Sequence, residues 1–188
     1  DQSVLLKLIS GKIQDGDALW LIKIIIKSFE KEPDKGLPLG NVTSQLFANI
    51  YLNELDQFIK HKLKQRYYLR YCDDFIILSE DRNGLIDLIA VIADFLKENL
   101  KLTLHSDKII IRKYHQGVDF LGYVVLPYYR VLRTKTKRRI FRKMKDKRQE
   151  LRNDLISEQS FRQSLQSYFG VLKHCRGCKI RKKIDFFL

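Results

Sequence analysis

The residues Tyr71-Cys72-Asp73-Asp74 stand between two short runs of aromatic and β-branched residues, at 67–70 and 75–78. Such runs are typical of β-strands, so the sequence predicts a β-hairpin with two adjacent carboxylates at its tip. Oxygen ligands gathered at one point suit a hard cation such as Mg²⁺. Asp is also common in ordinary polar turns, so these four residues by themselves leave both interpretations open.

The composition indicates a globular protein with a polyanionic partner. The 188 residues are 45% hydrophobic, enough for one domain with a small appended module. The 36 Lys and Arg residues against 22 Asp and Glu residues give a formal net charge of +14, which favours nucleic acid or anionic lipid. Three irregularly spaced cysteines indicate a reducing setting, so we predict a cytoplasmic protein. The sequence has no run of about 18 apolar residues, so no membrane span is predicted.

Apolar periodicity predicts helices on both sides of the hairpin, at 4–9, 19–26, 46–59 and 85–96. The helix at 19–26 is apolar on most sides, so we expect it to pack in the core with Trp20 buried. Strand-like patterns occur at 100–104, 108–112, 118–125 and 128–132. The sequence therefore predicts an α+β fold in which an antiparallel sheet packs on helices.

A glycine-bounded loop leads into the helix before the hairpin. Gly36-Leu37-Pro38-Leu39-Gly40 is followed by Asn41-Val42-Thr43-Ser44-Gln45. Glycine lets a ligand approach the backbone closely, and a helix N-terminus attracts anions. A plain helix capped by Asn41, Thr43 or Ser44 explains the same residues, so the loop alone is weak evidence.

The composition changes near Arg130 to a strongly basic segment. Ile140, Phe141 and Met144 form only a narrow apolar stripe there, which argues against a helix lying on a membrane. Basic charge this dense is self-repelling unless an anion screens it, so we predict a salt-sensitive contact surface for phosphate backbones. The predicted contacts are Arg133, Lys135, Lys137, Arg138, Arg139 and Arg142. A second helix at 161–173 completes a small helical module.

His174, Cys175 and Cys178 lie close together near the end of the chain. A structural zinc site needs four ligands, and no second Cys/His pair lies nearby in the sequence. We therefore predict no zinc site.

Taken in order, these segments resemble the palm and thumb of reverse transcriptases. Tyr71-Cys72-Asp73-Asp74 resembles the family's Tyr-x-Asp-Asp catalytic motif. Residues 36–45 resemble the motif before it, and residues 102–108 resemble the motif after it. Phe120-Leu121-Gly122-Tyr123 resembles the primer-grip hairpin. The resemblance covers nearly the whole chain and implies a palm at 1–132 and a basic helical thumb at 133–188.

The resemblance also implies an RNA-directed DNA polymerase that uses two Mg²⁺ ions, for which Mn²⁺ can substitute. Asp73 and Asp74 are then metal ligands and catalytic residues. Lys108 is then a catalytic residue that assists charge neutralisation or proton transfer at pyrophosphate, although an ordinary surface lysine explains it nearly as well. The implied template and nucleotide contacts are Gly40, Ser44, Gln45 and Tyr71. The implied primer grip consists of Leu121, Gly122 and Tyr123, and the partners are a template RNA, a DNA primer and dNTPs.

The glycine loop is most similar to that of the reverse transcriptases of diversity-generating retroelements. Group II intron and retron enzymes more often have Gln before the second glycine and Pro after the serine, where this chain has Leu39 and Gln45. The subtype implies error-prone copying of a template RNA and a small basic accessory protein. Asp1 matches only the last acidic position of the region that carries the family's first catalytic carboxylate. We therefore expect that the fingers and that carboxylate are missing and that this fragment alone is inactive.

Other functions stay open at this point. A group II intron-like, retron or defence-type reverse transcriptase would share most of these motifs. A non-catalytic nucleic-acid-binding module would share the basic charge. A metal-dependent nuclease is disfavoured, because the Asp73-Asp74 pair has no further acidic or His partners nearby in the sequence.

Overall fold

A computed structural model describes residues 1–38 and 40–185, which form an α+β fold as the sequence predicts. The helices of the described residues are α1 (Gln2–Ser10), α2 (Gly16–Lys27), α3 (Val42–Gln57), α4 (Arg82–Leu100), α5 (Thr134–Arg152), α6 (Glu158–Lys173) and α7 (Cys178–Asp185). The strands are β1 (Tyr67–Tyr71), β2 (Asp74–Leu78), β3 (Val118–Phe120), β4 (Tyr123–Val125) and β5 (Arg130–Leu132). Leu39, part of the predicted subtype signature, lies outside the described residues, as does the end of the predicted thumb at 186–188.

The chain packs as two compact units, Asp1–Ile111 and Arg112–Leu188. Each unit buries an apolar core of its own. The predicted boundary between palm and thumb after residue 132 divides the chain by function and stays a prediction.

In the first unit, α3 supplies the central apolar stripe. Phe47, Tyr51 and Leu55 recur every fourth residue, so they lie on one helical face, and all three are buried. The other buried residues of this core are Leu5, Ile9, Ile26, Ile59, Ile92, Leu96 and Leu100. The Tyr51 hydroxyl donates to the Leu100 carbonyl at 2.5 Å, and burial raises the pKa of Tyr51 to about 12. This bond ties α3 to the end of α4.

Helix α2 forms where the sequence predicts it, capped by Asp15, whose side chain accepts from the Ala18 amide. The helix packs on the core through Leu19, Ile22, Ile25 and Ile26, as expected, but the expectation that Trp20 is buried is wrong. Trp20 is 64% exposed, and Leu21 and Ile24 are also exposed, whereas Ile26 is fully buried. A helix that is apolar all round carries no polar face, so its sequence does not indicate which side packs.

Strands β1 and β2 form the predicted antiparallel hairpin, with Tyr71 paired to Asp74 and Tyr67 paired to Leu78. Because strand side chains alternate between faces, Tyr68 and its partner Ile77 share one face and pack on the core. The opposite face carries Tyr67 and Tyr71, which are exposed. The hairpin therefore has a packed face and an open face.

Two predicted strands are absent from the described residues, at 100–104 and 108–112. The alternating pattern at 100–104 has another origin. Leu100 ends α4, Lys101 takes a left-handed conformation, and the Leu102 amide returns to the Leu96 carbonyl at 3.0 Å. Leu102 and Leu104 pack on the core from an unpaired segment. A helix C-terminal motif followed by core contacts thus imitates a strand pattern.

In the second unit, β3, β4 and β5 form an antiparallel sheet, which confirms the small predicted sheet. The segment 118–125 is a hairpin with two three-residue strands rather than one long strand. Helices α5 and α6 form as predicted, and α7 is an additional helix. The buried core consists of Leu132, Ile140, Met144, Phe161, Leu165, Phe169, Leu172 and Ile184. No helix in the described part of the chain has the length and apolarity needed to cross a bilayer.

Candidate functional site

Cys72 and Asp73 form the two-residue connection between β1 and β2. Cys72 has a φ of +53°, a left-handed conformation that residues with a Cβ rarely adopt. Asp73 lies at the tip and Asp74 begins β2, and both residues are exposed. Since Asp74 pairs with Tyr71, the Asp74 side chain belongs to the open face of the hairpin. The structure thus presents two solvent-accessible carboxylates at one turn.

Arg70 connects this turn to α3. Its Nε donates to Asp56 Oδ1 at 2.7 Å, and its Nη2 donates to Asp56 Oδ2 at 2.6 Å. Its Nη1 donates to the Cys72 carbonyl at 2.8 Å and to Asn49 Oδ1 at 3.2 Å. The Tyr68 hydroxyl also donates to Asp56 Oδ1, at 2.7 Å. One partly buried network therefore joins the packed face of the hairpin to α3 and to the turn itself.

The protonation states in this network follow from its geometry. Burial opposes the charge on Asp56, but hydrogen bonds from Arg70 and Tyr68 and the charge of Arg70 hold the pKa of Asp56 below its ordinary value. The hydrogen bond to Asp56 raises the pKa of Arg70, and burial together with Asp56 raises the pKa of Tyr68. Asp56 is thus a carboxylate whose charge is neutralised within the protein.

Helix α3 also carries residues of the predicted nucleotide-binding motif. Gln45 precedes Asn49 by four residues, and Asp56 follows Asn49 by seven, so the three residues lie on one helical face. Because a single nitrogen of Arg70 bonds both Asn49 and the Cys72 carbonyl, the Asp73-Asp74 turn lies beside that face. Gln45 lies about 6 Å from Asn49 along the helix axis, because four residues rise about 1.5 Å each. The structure thus links Asn49 of α3 to the carbonyl of the Asp-Asp turn through Arg70.

The glycine loop before α3 is built around backbone contacts. Gly40 has a φ of +94°, and a Cβ added there would meet open space, so the backbone is accessible. The Ser44 hydroxyl donates to the Pro38 carbonyl, across the loop. Asn41 occupies the helix N-cap without a side-chain capping bond. Ser44 therefore closes the loop, while Gln45 is exposed.

The start of the loop is held by a buried side chain that no sequence pattern singles out. Gln2 is 2% exposed, and its Nε2 lies at hydrogen-bond distance from the carbonyls of Ile26, Phe29 and Gly36. Its backbone amide donates to the Asp34 carbonyl at 2.8 Å. Gln2 thus fixes the segment between α2 and the glycine loop.

Lys108 lies in the same unit but on a different segment. It ends a 3₁₀ turn, Ser106–Lys108, and its amide donates to the His105 carbonyl at 2.9 Å. The side chain is exposed. Its predicted catalytic role stays a prediction.

The predicted primer grip is the β3–β4 turn of the second unit. Leu121 and Gly122 have φ values of +51° and +82°, the pattern of a tight two-residue hairpin turn. The Tyr123 hydroxyl donates to the Val171 carbonyl at 3.0 Å, which attaches the hairpin to α6. The Gly122 carbonyl accepts from the Arg133 amide at 3.0 Å. The turn is therefore fixed against the basic helical module.

Five of the six predicted phosphate contacts, Lys135, Lys137, Arg138, Arg139 and Arg142, are exposed on α5. The buried residues Ile140 and Met144 define the opposite face of that helix. The sixth, Arg133, forms an ion pair with Asp119, with Nε 2.5 Å from Oδ2. The structure thus presents a basic face on α5, and Arg133 is partly engaged in holding β3.

Within residues 1–38 and 40–185, no group of three or more His, Cys, Asp or Glu side chains is placed to hold a metal ion. Asp73 and Asp74 are two exposed carboxylates of the kind that hard cations prefer, so they fit part of an Mg²⁺ site. The cysteines Cys72, Cys175 and Cys178 are free of disulfides, and the predicted absence of a zinc site stays a prediction.

Sequence reasoning missed Asn49, Asp56 and Arg70, which hold the turn in place. Arg70 was visible only as a strand residue before the motif, and Asp56 only as a polar position on a helix. Their pairing spans 14 residues, which neither local pattern reveals. The available signal was the i, i+7 spacing of Asn49 and Asp56 on one helical face.

Comparison with known proteins identifies the family. The family model described as reverse transcriptase (RNA-dependent DNA polymerase) matches residues 13–125, more than half of the chain. The chain therefore belongs to the reverse transcriptase family, as its motifs predict.

Two relatives share about a quarter of their aligned residues with it. The putative COX1/OXI3 intron 2 protein of Saccharomyces cerevisiae is 26% identical over 145 residues, covering 48% of this chain and 17% of that protein. Protein YkfC of Escherichia coli is 26% identical over 158 residues, covering 64% of this chain and 42% of that protein. The chain thus spans less than half the length of either relative.

Proposed function

We propose that this chain is the palm and thumb of an RNA-directed DNA polymerase that adds deoxynucleotides to a primer 3′ end on an RNA template. One observation carries the proposal: Arg70 holds the turn with the exposed Asp73 and Asp74 beside the helix that begins at the glycine loop. Family membership over residues 13–125 supports it independently.

Asp73 and Asp74 would hold Mg²⁺, with Mn²⁺ as a substitute, and a further carboxylate outside the described cluster would complete the site. The bound metal would lower the pKa of the primer hydroxyl and neutralise charge on the departing pyrophosphate. The protein's own part is to hold two carboxylates at one exposed point without neutralising them. Arg70, the nearest cation along β1, is already paired with Asp56.

Tyr71, Gly40, Ser44 and Gln45 would contact template and nucleotide. The open space at Gly40 permits close approach to the backbone, and Gln45 is exposed on the helical face that carries Asn49. Lys108 would neutralise charge or transfer a proton at pyrophosphate. These roles follow from the motif match.

Leu121, Gly122 and Tyr123 would hold the primer end, and the basic face of α5 would bind the duplex through its phosphates. Lys135, Arg138 and Arg142 recur at i, i+3 and i+7, so they form one continuous exposed stripe. Such a stripe can follow a phosphate backbone without reading its sequence.

The subtype we propose is a diversity-generating retroelement enzyme, cytoplasmic and error-prone, with a small basic accessory protein. Its support is the Leu39 and Gln45 pattern in the sequence. The alternative is a group II intron-like enzyme, favoured by similarity to a yeast protein named for an intron. Sequencing the DNA beside the gene separates them. A template repeat that differs from a variable repeat at adenines supports the first, and intron boundaries support the second.

The activity is tested by Asp73→Ala in the full protein, assayed for primer extension with an RNA template, dNTPs and Mg²⁺. We expect at least about a thousandfold loss of extension, because a metal ligand is removed. Asp87→Ala is the matched control, since Asp87 is an exposed Asp on α4 of the same unit. Extension retained by Asp73→Ala contradicts the assignment, and a wild-type protein that only binds the duplex identifies a non-catalytic binding module.

A further inference from the structure

Arg70 makes more hydrogen bonds than an ion pair requires. Two of its nitrogens bind Asp56 at 2.6 and 2.7 Å, and the third bonds the Cys72 carbonyl at 2.8 Å. Its side chain is 10% exposed, and that of Asp56 is 27% exposed, so water competes weakly for these bonds. Asp56 anchors the guanidinium on α3 and leaves one edge directed at the turn.

The carbonyl that Arg70 holds belongs to the peptide group joining Cys72 to Asp73. A peptide group is planar, so fixing its oxygen also fixes the amide of Asp73 and the direction in which Asp73 leaves the turn. The left-handed φ of Cys72 makes the hydrogen bond from Arg70 more important, because that conformation is disfavoured for a residue with a Cβ. The hydrogen bond to Cys72 thus acts directly on the backbone that carries Asp73.

We propose that Arg70 is a positioning residue, held by Asp56, that orients Asp73 and Asp74 for cation binding. The inference rests on the proposed function and adds to it a residue outside the Tyr-x-Asp-Asp motif. Asp56 has a second effect in this arrangement. By pairing with the guanidinium, Asp56 prevents the positive charge of Arg70, three residues before Asp73, from neutralising the carboxylates at the tip. The network therefore both orders the turn and leaves its charge available.

The decisive variant is Arg70→Lys in the full protein. Lysine keeps the charge but has a single nitrogen, which cannot bind both Asp56 oxygens and the Cys72 carbonyl in the same geometry. We expect kcat for primer extension to fall about tenfold or more and the Mg²⁺ concentration for half-maximal rate to rise about tenfold. The Kd for primer–template should stay within about twofold, since the phosphate contacts are elsewhere.

Arg66→Lys is the matched control. Arg66 lies four residues earlier, is exposed, and contacts the Tyr67 ring at 5.2 Å instead of the turn. It should leave the Mg²⁺ dependence unchanged. Assays are run well below the Tm of each variant, so that a loss of folded protein does not imitate a loss of rate.

A wild-type Mg²⁺ dependence and kcat in Arg70→Lys overturn the inference. If that variant does not fold, Asp56→Glu gives the same test, because it keeps the ion pair but displaces the anchor by one methylene. A raised Mg²⁺ requirement in Asp56→Glu supports the inference, and an unchanged one overturns it. The proposed function fails separately, when the wild-type protein does not extend a primer or when Asp73→Ala still does. If the wild-type protein does not extend a primer, the inference about Arg70 fails together with the proposed function.

Discussion

Two tight hairpins of this chain, one carrying Asp73 and Asp74 and the other Leu121 and Gly122, differ in what holds their turns. Each joins antiparallel strands through two residues, with a left-handed residue at the first position. In the second hairpin a glycine takes the other turn position, and its backbone conformation is intrinsically favourable there. In the first, no glycine is present and the turn carbonyl is held by Arg70.

The two turns therefore differ in what holds them. At Gly122 a glycine takes the positive φ, and the turn carbonyl accepts from the Arg133 backbone amide. The turn at Cys72 depends on α3, because Asp56 and Asn49 position the side chain that holds it. We infer that mutations on α3 affect the Asp73-Asp74 turn, whereas the Leu121-Gly122 turn responds mainly to changes in its own residues and at the start of α5, which contacts Gly122.

The largest stability effect expected from this comparison is that of Asp56→Asn. The variant leaves the nearly buried guanidinium of Arg70 without its counter-charge. We therefore expect the free energy of unfolding, measured with urea, to fall by about 2 kcal/mol. Glu158→Gln is the control, because the Arg162–Glu158 pair has the same 2.6 Å separation but is about 70% exposed on both sides. That change should cost less than about 0.5 kcal/mol. Equal losses in the two variants would show that burial is not what distinguishes the pairs.

Acid titration sharpens the same prediction. Because the folded pKa of Asp56 is lowered from the ordinary value of 3.8, its ionisation stabilises the protein fully above that pH. The contribution is lost as the pH falls below 3.8 through the lowered pKa. The stability difference between wild type and Asp56→Asn should therefore be constant near neutral pH and shrink in this acid range. A difference that instead shrinks above pH 5 would assign the effect to another group.

The success of sequence reasoning differs between these hairpins for a physical reason. The aromatic and β-branched residues on both sides of Asp73 are a local pattern, and the first turn was predicted from them. At 118–125 the local pattern predicted a single strand, and only the resemblance to the primer-grip hairpin indicated the second turn. Arg70 and Asp56 act across 14 residues, and only the packing of α3 on the hairpin makes them partners. Trp20 on α2 shows the same limit, since apolar composition predicted a helix but not which face is covered. Residues 100–104 show the reverse case, where a helix end resembles a strand.

A smaller effect is expected at the second hairpin from Gly122→Ala. Its φ of +82° disfavours any side chain, and the new Cβ would lie 3.3 Å from Thr136 Oγ1. We expect a loss of about 1–2 kcal/mol in urea unfolding. Gly170→Ala on α6 is the matched control, because nothing lies within 4 Å of its added Cβ. That change should stabilise the protein by up to about 1 kcal/mol. Destabilisation by both changes to the same degree would contradict a specific role for the backbone of Gly122.

The smallest effect, and the one that addresses the difference between the hairpins most directly, is expected from Cys72→Gly. Glycine removes the steric cost of the left-handed conformation, of about 1 kcal/mol, but gives the unfolded chain more freedom, which offsets part of the gain. We expect a net stabilisation of about 0.5 kcal/mol, with Cys72→Ala unchanged because alanine keeps the Cβ. The hydrogen bond from Arg70 reaches the backbone carbonyl, so it should survive both changes.

In combination with Arg70→Lys, Cys72→Gly should recover part of the lost extension rate, because a glycine turn needs less support from α3. If the combined variant extends the primer no faster than Arg70→Lys alone, the hydrogen bond from Arg70 does not act by opposing conformational strain at Cys72.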